Sequence, residues 1–260
     1  MQGQSLQYEM VCSSKTGLVR DLNEDNFCFF GKVMPQQHQS LDGLCSSQGA
    51  CASNPLVGVF DGMGGHALGE LASFAAAEAL SNIAGREHVE PWTDVDLAQV
   101  LLDLNDAVVA AGERANATGS GTTGTLLALG PAELLVANIG DSPAFLFREG
   151  QMRELTVRHT DEALRQSLNM PARTPRLTQH LGIPASDFVL EPHVVCEHIQ
   201  DGDVVLLCTD GITDMVGEGT IYQAVGDGQD VRRAYALLRD AALAAGGKDN
   251  FTILLCRLSA

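Results

Sequence analysis

The sequence predicts an α+β fold with four layers, in which a central β-sandwich of two antiparallel sheets is flanked by helices on both outer faces. Short apolar segments of strand length follow one another at hairpin spacing, which favours antiparallel pairing. Helical periodicity appears in two separate groups, one after the first strands and one near the C-terminus. Two packed sheets with helices outside them would bury all of these apolar faces.

The first half of the chain begins with strands and continues with two long helical segments. The strands expected here are 7–13, 27–33 and 56–60. Residues 34–55 are rich in Gln, Ser, Gly and Ala without periodicity, so we predict a loop insertion. Small and apolar residues recur at helical spacing over 66–83. A second helix fits 94–114, where Thr93 or Asp94 can act as the N-cap.

The second half of the chain is predicted to be mainly strands, with two helices before the last of them. The strands expected here are 122–129, 133–139, 143–148, 152–155, 188–198, 203–208 and 250–258. Residues 160–182 are irregular apart from a short helix at 161–168. Apolar spacing predicts helices at 218–225 and 230–245.

Length and charge restrict the class of protein. A chain of 260 residues without a Pro/Ser-rich linker is expected to form a single domain over 1–260, because its acidic motifs run through nearly all of it. Thirty-three acidic against 16 basic side chains argue against nucleic acid or an anionic membrane as the partner. No apolar run approaches the roughly 20 residues that span a bilayer. The first residues lack the features of a signal peptide, so we expect a cytoplasmic protein. We also expect a monomer.

The cysteines indicate thiols rather than a disulfide or zinc framework. Cys45 and Cys51 lie in a polar stretch and could approach each other, but a structural disulfide is not expected in a reducing cytoplasm. No CxxC pair occurs, so zinc is not indicated. The cysteines in strand-like apolar runs, which we expect to be buried, are Cys28, Cys196, Cys208 and Cys256.

Acidic residues recur where apolar strands meet turns. The residues in question are Asp61, Asp141, Asp210, Asp249 and the pair Glu24 and Asp25. Strand ends of a rigid sandwich can bring such side chains to one edge, where carboxylates repel one another unless cations lie between them. Oxygen-only ligation selects hard ions such as Mg²⁺ or Mn²⁺. The sequence therefore predicts a carboxylate-held site for several metal ions.

Each acidic motif also has a purely structural interpretation. An Asp that closes a strand is often a turn former, and only its recurrence favours a metal site. Asp214 follows Asp210 by four residues and would share its side of a helical turn. The glycines after Asp61 could turn the carbonyl of Gly62 toward a metal, or could simply form a tight turn. Arg20, four residues before Glu24, could bind a phosphoryl group or be a surface arginine.

Taken together, these segments resemble the metal-dependent Ser/Thr protein phosphatase (type 2C) family in its compact bacterial form. The ordered set extends over residues 20–255, and this order makes it specific although each run alone is modest. The matching runs are Arg20–Asn26, Val59–His66, Gly121–Thr123, Asn138–Ser142, Leu177–Gly182, Cys208–Asp214 and Gly247–Thr252.

The resemblance implies a role for each of these residues. Asp61 would bridge two metal ions, the Gly62 carbonyl would bind the first, and Asp210 and Asp249 would bind the second. Glu24 and Asp25 would act near the first ion through water. A weaker third ion would involve Asp141 and Asp214 together with Asp210. Arg20 matches the arginine with which the family binds phosphate.

The chain departs from the family at several positions. Eukaryotic members carry a His, assigned as general acid, where this chain has Met63, whose thioether cannot donate a proton. Pro143 replaces a common Arg after Gly-Asp-Ser, and Arg158 replaces the Asp of a common Asp-His-Thr/Ser run. The segment after His159, where the family has a variable flap, is short. We expect residues 160–176, with Arg165, Arg173 and Arg176, to be mobile and to contact the protein substrate rather than the metals; the alternative is a plain connecting loop.

The expected activity is hydrolysis of phosphoserine and phosphothreonine by a water shared between two Mn²⁺ or Mg²⁺ ions, without a covalent phosphoenzyme. The expected partners are phosphorylated proteins, the substrates of a Ser/Thr kinase. Two other functions stay open on the sequence alone. One is a catalytically weak regulatory or binding module of the same fold, and the other is a small-molecule phosphatase.

Overall fold

The computed structural model describes residues 6–64, 68–86, 90–117, 119–168, 170–171, 173–226 and 230–260. The strands are β1 (Gln7–Lys15), β2 (Asn26–Cys28), β3 (Cys45–Ala50), β4 (Leu56–Phe60), β5 (Gly62–Met63), β6 (Gly121–Thr122), β7 (Gly124–Leu129), β8 (Glu133–Ile139), β9 (Ala144–Arg148), β10 (Gln151–Glu154), β11 (His193–His198), β12 (Val204–Cys208) and β13 (Phe251–Ser259). The helices are α1 (Gly69–Ala84), α2 (Asp94–Arg114), α3 (Glu162–Ser167), α4 (Asp210–Thr213), α5 (Glu218–Val225) and α6 (Val231–Ala244).

Two antiparallel sheets form the centre of the molecule, as the sequence predicts. One sheet has the strand order β10-β9-β12-β13-β1-β3, and the other has the order β11-β8-β7-β4-β2. The first and last strands are neighbours, because β1 pairs with β13 along its whole length, from Gln7 opposite Ser259 to Lys15 opposite Phe251. A two-stranded ladder of β5 and β6 lies beside the sheets and carries Gly62 opposite Thr122.

The four layers are held together by three apolar clusters. Between the sheets, Met10 and Leu254 of the first pack with Val59 and Leu127 of the second. Outside the second sheet, α1 and α2 bury an apolar stripe against it. Outside the first sheet, α5 and α6 do the same. Since side chains of a strand alternate between faces, the central strands of both sheets must be apolar on each side, which explains their nearly continuous apolar runs.

The predicted helices largely match the structure. Helix α2 begins where expected, because Thr93 and Asp96 form a reciprocal capping box. Helix α1 begins at Gly69, and the predicted start at 66 falls outside the described residues. No helix in the described part of the chain is long and apolar enough to cross a membrane.

Three local predictions were wrong. Part of the loop insertion predicted for 34–55 is strand β3, which pairs with β1 at the sheet edge. Its sequence of small and polar residues hides the strand, because an edge strand needs little apolar surface. The strands expected at 27–33 and 188–198 are shorter than predicted, at Asn26–Cys28 and His193–His198. Cys196 is exposed rather than buried, because β11 is itself an edge strand; Cys45 and Cys51 are both buried free thiols.

Candidate active site

The acidic strand ends predicted from the sequence meet at one edge of the sandwich. Asp61 follows β4, Asp210 begins α4 directly after β12, and Asp249 precedes β13. Asp25 immediately precedes β2, and Asp141 follows β8. Asp141 and Asp210 line one cavity, and the charges of Asp210, Asp25 and Asp141 all raise the pKa of Asp61, as expected for side chains that lie close together.

Asp61 and Asp210 form the centre of this cluster. Their carboxyl groups lie within hydrogen-bonding reach of each other. Burial raises the pKa of both groups, and for Asp61 the charge of Asp210 is the next largest cause. A pair of buried carboxyls in this state favours either a proton or a cation between them.

Asp25 is fully buried but is held by neutral hydroxyl donors. Its Oδ2 accepts hydrogen bonds from Thr209 Oγ1 at 2.7 Å and from Thr252 Oγ1 at 2.8 Å. Burial raises the pKa of Asp25 to about 8, and the two hydroxyl bonds act in the opposite direction. The hydroxyls therefore fix the direction of the carboxyl group without neutralising its charge.

Asp141 and Asp214 lie on the other side of Asp210. Burial, followed by the charge of Asp210, raises the pKa of Asp141 to about 6. Burial also raises the pKa of Asp214, whereas the guanidinium of Arg158 lowers it. Both carboxyls and Asp210 line a small cavity of about 80 Å³ that Arg158 also borders.

The loop that carries Arg20 is fixed to the loop before β13. Arg20 donates to Asp249 Oδ2 at 2.8 Å, and both side chains remain about half exposed, at 51% and 42%. Asn250 clamps the same loop: its Nδ2 donates to the carbonyls of Thr16 and Leu22 at 2.9 Å each, and its Oδ1 accepts from the amide of Glu24 at 2.8 Å. The clamp brings Arg20 and Glu24 to the acidic cluster.

Gly62 occupies a position where no side chain fits. A Cβ atom there would lie 2.3 Å from the carbonyl oxygen of Gly69 and 2.4 Å from that of Glu24. These contacts are with backbone atoms, which cannot move aside without shifting the start of α1 or the Glu24 loop. The glycine thus allows three backbone segments to meet next to Asp61.

Several residues that the sequence interpretation did not select support this cluster. Asp61 donates its amide to Thr123 Oγ1 at 3.0 Å, and Thr123 Oγ1 lies 2.7 Å from Ser142 Oγ, beside Asp141. Thr123 lies in a matching motif, but its hydroxyl role depends on a strand pairing that the sequence does not specify. Glu70 is buried in the first turn of α1. Its Oε2 has no hydrogen-bond partner among the described residues, and after burial its charge is the next cause that raises the pKa of Glu24.

His159 acts here through the backbone of the turn at Gly140. Its Nδ1 accepts from the amide of Gly140 at 3.1 Å, and its own amide donates to the Gly140 carbonyl at 3.0 Å. Burial lowers the pKa of His159, which favours the neutral imidazole that this acceptor role requires. His159 therefore holds the turn next to Asp141.

The arginines predicted to contact a substrate are partly occupied within their own segment. Arg173 forms an ion pair with Asp161, and Arg165 donates to the carbonyl of Pro171. The Arg176 amide donates to Asp161 Oδ1 at 2.9 Å. Asp161 thus holds Arg173 and the Arg176 backbone close to the start of this segment, and two of the three guanidiniums are engaged by groups of the segment itself.

The cluster fits divalent cations by its chemistry. Its donors are carboxylate and backbone oxygens, which hard ions prefer. In the described part of the chain, no group of three or more acidic, His or Cys side chains is arranged as a ready-made cage. Burial raises the pKa of Asp61 and Asp210, so protons compete with a cation for their oxygens and metal affinity should rise with pH.

Comparison with known proteins agrees with this arrangement. Residues 45–239 match the family model described as protein phosphatase 2C. The chain is 30% identical over 218 residues to the serine/threonine phosphatase stp of Listeria innocua, covering 77% of this chain and 83% of that one. It is 32% identical over 217 residues to the serine/threonine protein phosphatase PstP of Mycobacterium tuberculosis, covering 77% of this chain and 40% of that one.

A solved structure extends the similarity to the whole fold. The catalytic domain of PstP, crystallised in complex with two manganese ions, superposes with a TM-score of 0.78 at 28% identity and covers 98% of this chain and 100% of that chain. The family match, the relatives and the fold agree with one another. The chain belongs to the protein phosphatase 2C family.

Proposed function

We propose that this chain is a metal-dependent protein phosphatase that removes phosphate from phosphoserine and phosphothreonine in proteins. The observation that carries the proposal is the coupled set of buried carboxyls around Asp61, whose pKa values are raised by burial and by one another. If these carboxyls bound no cation, neutral side chains would make the fold more stable, because clustered buried charges are costly. The similarity to stp and PstP supports the same activity.

The proposed metal ligands follow the family pattern. Asp61 would bridge two Mn²⁺ or Mg²⁺ ions, and the backbone position of Gly62 suits a carbonyl ligand. Asp210 and Asp249 would hold the second ion, and Glu24 and Asp25 would act near the first. A weaker third ion would be held by Asp141 and Asp214 together with Asp210. The two manganese ions bound by the PstP catalytic domain support a paired site.

The residues of this chain supply orientation and charge for the reaction. When bound, a pair of divalent ions lowers the pKa of a water and activates it for in-line attack on phosphorus. Arg20 is placed to bind the phosphoryl oxygens: its ion pair with Asp249 is about half exposed and therefore weak, on the order of 0–1 kcal/mol, so a phosphate can replace it. The hydroxyls of Thr209 and Thr252 keep Asp25 aligned. Met63 cannot supply a proton to the leaving group.

We further infer that residues 1–260 act as one catalytic domain, because strands from both ends of the chain pair in the same sheet. We also propose a monomer that works in the cytoplasm on substrates of a Ser/Thr kinase. The buried free thiols fit a reducing compartment. The acidic surface, with 33 acidic against 16 basic residues, favours protein substrates that are not strongly acidic around the phosphorylated residue.

The test is hydrolysis of a phosphothreonine peptide by the wild type, Asp61→Asn and the matched control Asp103→Asn, whose side chain is exposed on α2 and bonded to Gln99. We expect the wild type and the control to require added Mn²⁺ or Mg²⁺ and to lose activity in excess chelator. Asp61→Asn should be inactive because it removes the proposed bridging ligand. Full activity in chelator would exclude a metal-dependent reaction. Activity on aryl phosphates but not on phosphopeptides would indicate a small-molecule phosphatase instead.

A further inference from the structure

A guanidinium shares a cavity with the carboxyls of the proposed third metal subsite. The cavity of about 80 Å³ is lined by Asp141, Asp210 and Asp214 on one side and by Arg158 on another. Its remaining lining residues are Thr160, Glu162, Thr174 and Pro175. Arg158 therefore lies where its positive charge acts on the same carboxyl groups that would bind a cation.

The guanidinium of Arg158 is held by the carboxylate of Glu154. Its Nε donates to Glu154 Oε1 at 2.9 Å, and its terminal nitrogen donates to Oε2 at 3.3 Å, which is a bidentate pair. Thr156 Oγ1 also donates to Glu154 Oε1 at 3.1 Å and steadies that carboxylate. The two side chains are about one-third exposed, at 37% for Arg158 and 29% for Glu154, so solvent screens their charges only in part.

The backbone around Arg158 is fixed to the turn that carries Asp141. Asn138 donates its Nδ2 to the Val157 carbonyl at 2.8 Å and accepts from the Val157 amide at 3.3 Å. His159 exchanges two further bonds with Gly140, at 3.0 and 3.1 Å. Because residues on both sides of Arg158 are tied to this turn, the backbone at Arg158 cannot move away from Asp141 without breaking four hydrogen bonds.

We propose that Arg158 is a tethered cation that competes with a divalent ion for Asp141 and Asp214, so that this subsite fills only at higher metal concentrations than the pair at Asp61. Like charges in one small cavity repel, and a divalent ion meets twice the repulsion that a monovalent ion would. Glu154 offsets part of the guanidinium charge, which makes the competition graded rather than complete. The inference rests on the proposed function, since it concerns the ions of that same site.

The test measures Mn²⁺ binding directly by isothermal titration calorimetry, with free Mn²⁺ counted by electron paramagnetic resonance. Arg158→Gln should tighten the weakest binding event by about tenfold, leaving the two tight events unchanged. Arg158→Lys, which keeps the charge, should behave like the wild type. Arg153→Gln is the matched control, because Arg153 pairs with Glu197 away from the cavity. Adding Asp214→Asn to Arg158→Gln should remove the tightened event.

A second variant tests the same idea from the opposite side. Glu154→Gln removes the carboxylate that offsets the charge of Arg158, so it should weaken the third Mn²⁺-binding event. This variant can replace Arg158→Gln in the test if Arg158→Gln does not fold. An unchanged or weaker third event in Arg158→Gln, or an unchanged or tighter one in Glu154→Gln, would overturn the proposal. If the wild type itself shows no tight Mn²⁺-binding events, the proposed metal-dependent function is refuted instead.

Discussion

Replacement of Asn250 by Ala should damage catalysis more than stability alone explains, because this side chain fixes the loop that carries Arg20 and Glu24. The change removes three hydrogen bonds of 2.8 to 2.9 Å from a side chain that is 6% exposed. At roughly 0.5–1.5 kcal/mol for each net hydrogen bond, the free energy of unfolding should fall by about 1.5–4.5 kcal/mol. That corresponds to a melting temperature lower by about 3–18 °C for a domain of this size.

Asn105 offers a matched control. It is 4% exposed and also makes three hydrogen bonds: its Nδ2 donates to the Ile183 carbonyl at 3.0 Å, and its Oδ1 accepts from Gly182 and Ile183 at 2.8 and 3.1 Å. Asn105→Ala should therefore cost a similar free energy of unfolding. Only Asn250→Ala releases the Arg20 loop, so we expect its kcat/KM on a phosphopeptide to fall by about tenfold more, measured at a temperature where both variants are folded. Equal losses of kcat/KM in the two variants would refute the clamp role.

Three further outcomes follow from the same geometry. Arg20→Ala should raise KM for a phosphopeptide by about 10- to 150-fold with the melting temperature nearly unchanged, since it removes a charge-assisted contact worth roughly 1.5–3 kcal/mol; unchanged kinetics would place Arg20 outside the site. Gly62→Ala should lose turnover and Mn²⁺ affinity, because its Cβ would meet backbone at 2.3–2.4 Å; normal calorimetric binding would contradict this reasoning. Asp141→Ala and Asp214→Ala should each retain the two tight Mn²⁺ events but turn over slowly; loss of all metal binding would show that the third subsite is misassigned.

The layer order and the gathering of carboxyls could be predicted because both depend on patterns within single segments. Apolar runs that end in Asp define a strand and a charged terminus at the same time, so Asp61, Asp141 and Asp210 are found without any knowledge of pairing. Their convergence then follows from the rigidity of a two-sheet core. The edge strand Cys45–Ala50 could not be predicted, because its pairing with β1 is made by backbone groups and leaves little trace in the side chains.

The polar shell behind the carboxyls could not be predicted for a different reason. Thr209 and Thr252 read as ordinary β-strand residues, and only the tertiary arrangement places both hydroxyls within 2.8 Å of Asp25. The same holds for Asn250, whose partners Thr16 and Leu22 are more than 220 residues away in sequence. Long-range bonds of this kind have no local signal, because any Thr or Asn can make them.

The polar side chains behind the carboxyls also explain how several buried acidic groups are held close together. Neutral hydroxyls orient Asp25 and connect Asp61 to the Asp141 turn through Thr123 and Ser142, so the carboxyls are aligned without being paired to fixed cations. The charge that remains raises the pKa values of the buried carboxyls, and it is the property that makes the centre receptive to divalent ions. Arg20 and Arg158 act at opposite ends of the cluster, where one meets Asp249 and the other meets Asp141 and Asp214. Of Asp61 and Asp210, only Asp61 neither pairs with Arg20 nor lines the Arg158 cavity, which would keep the strongest metal affinity at the proposed bridging ligand.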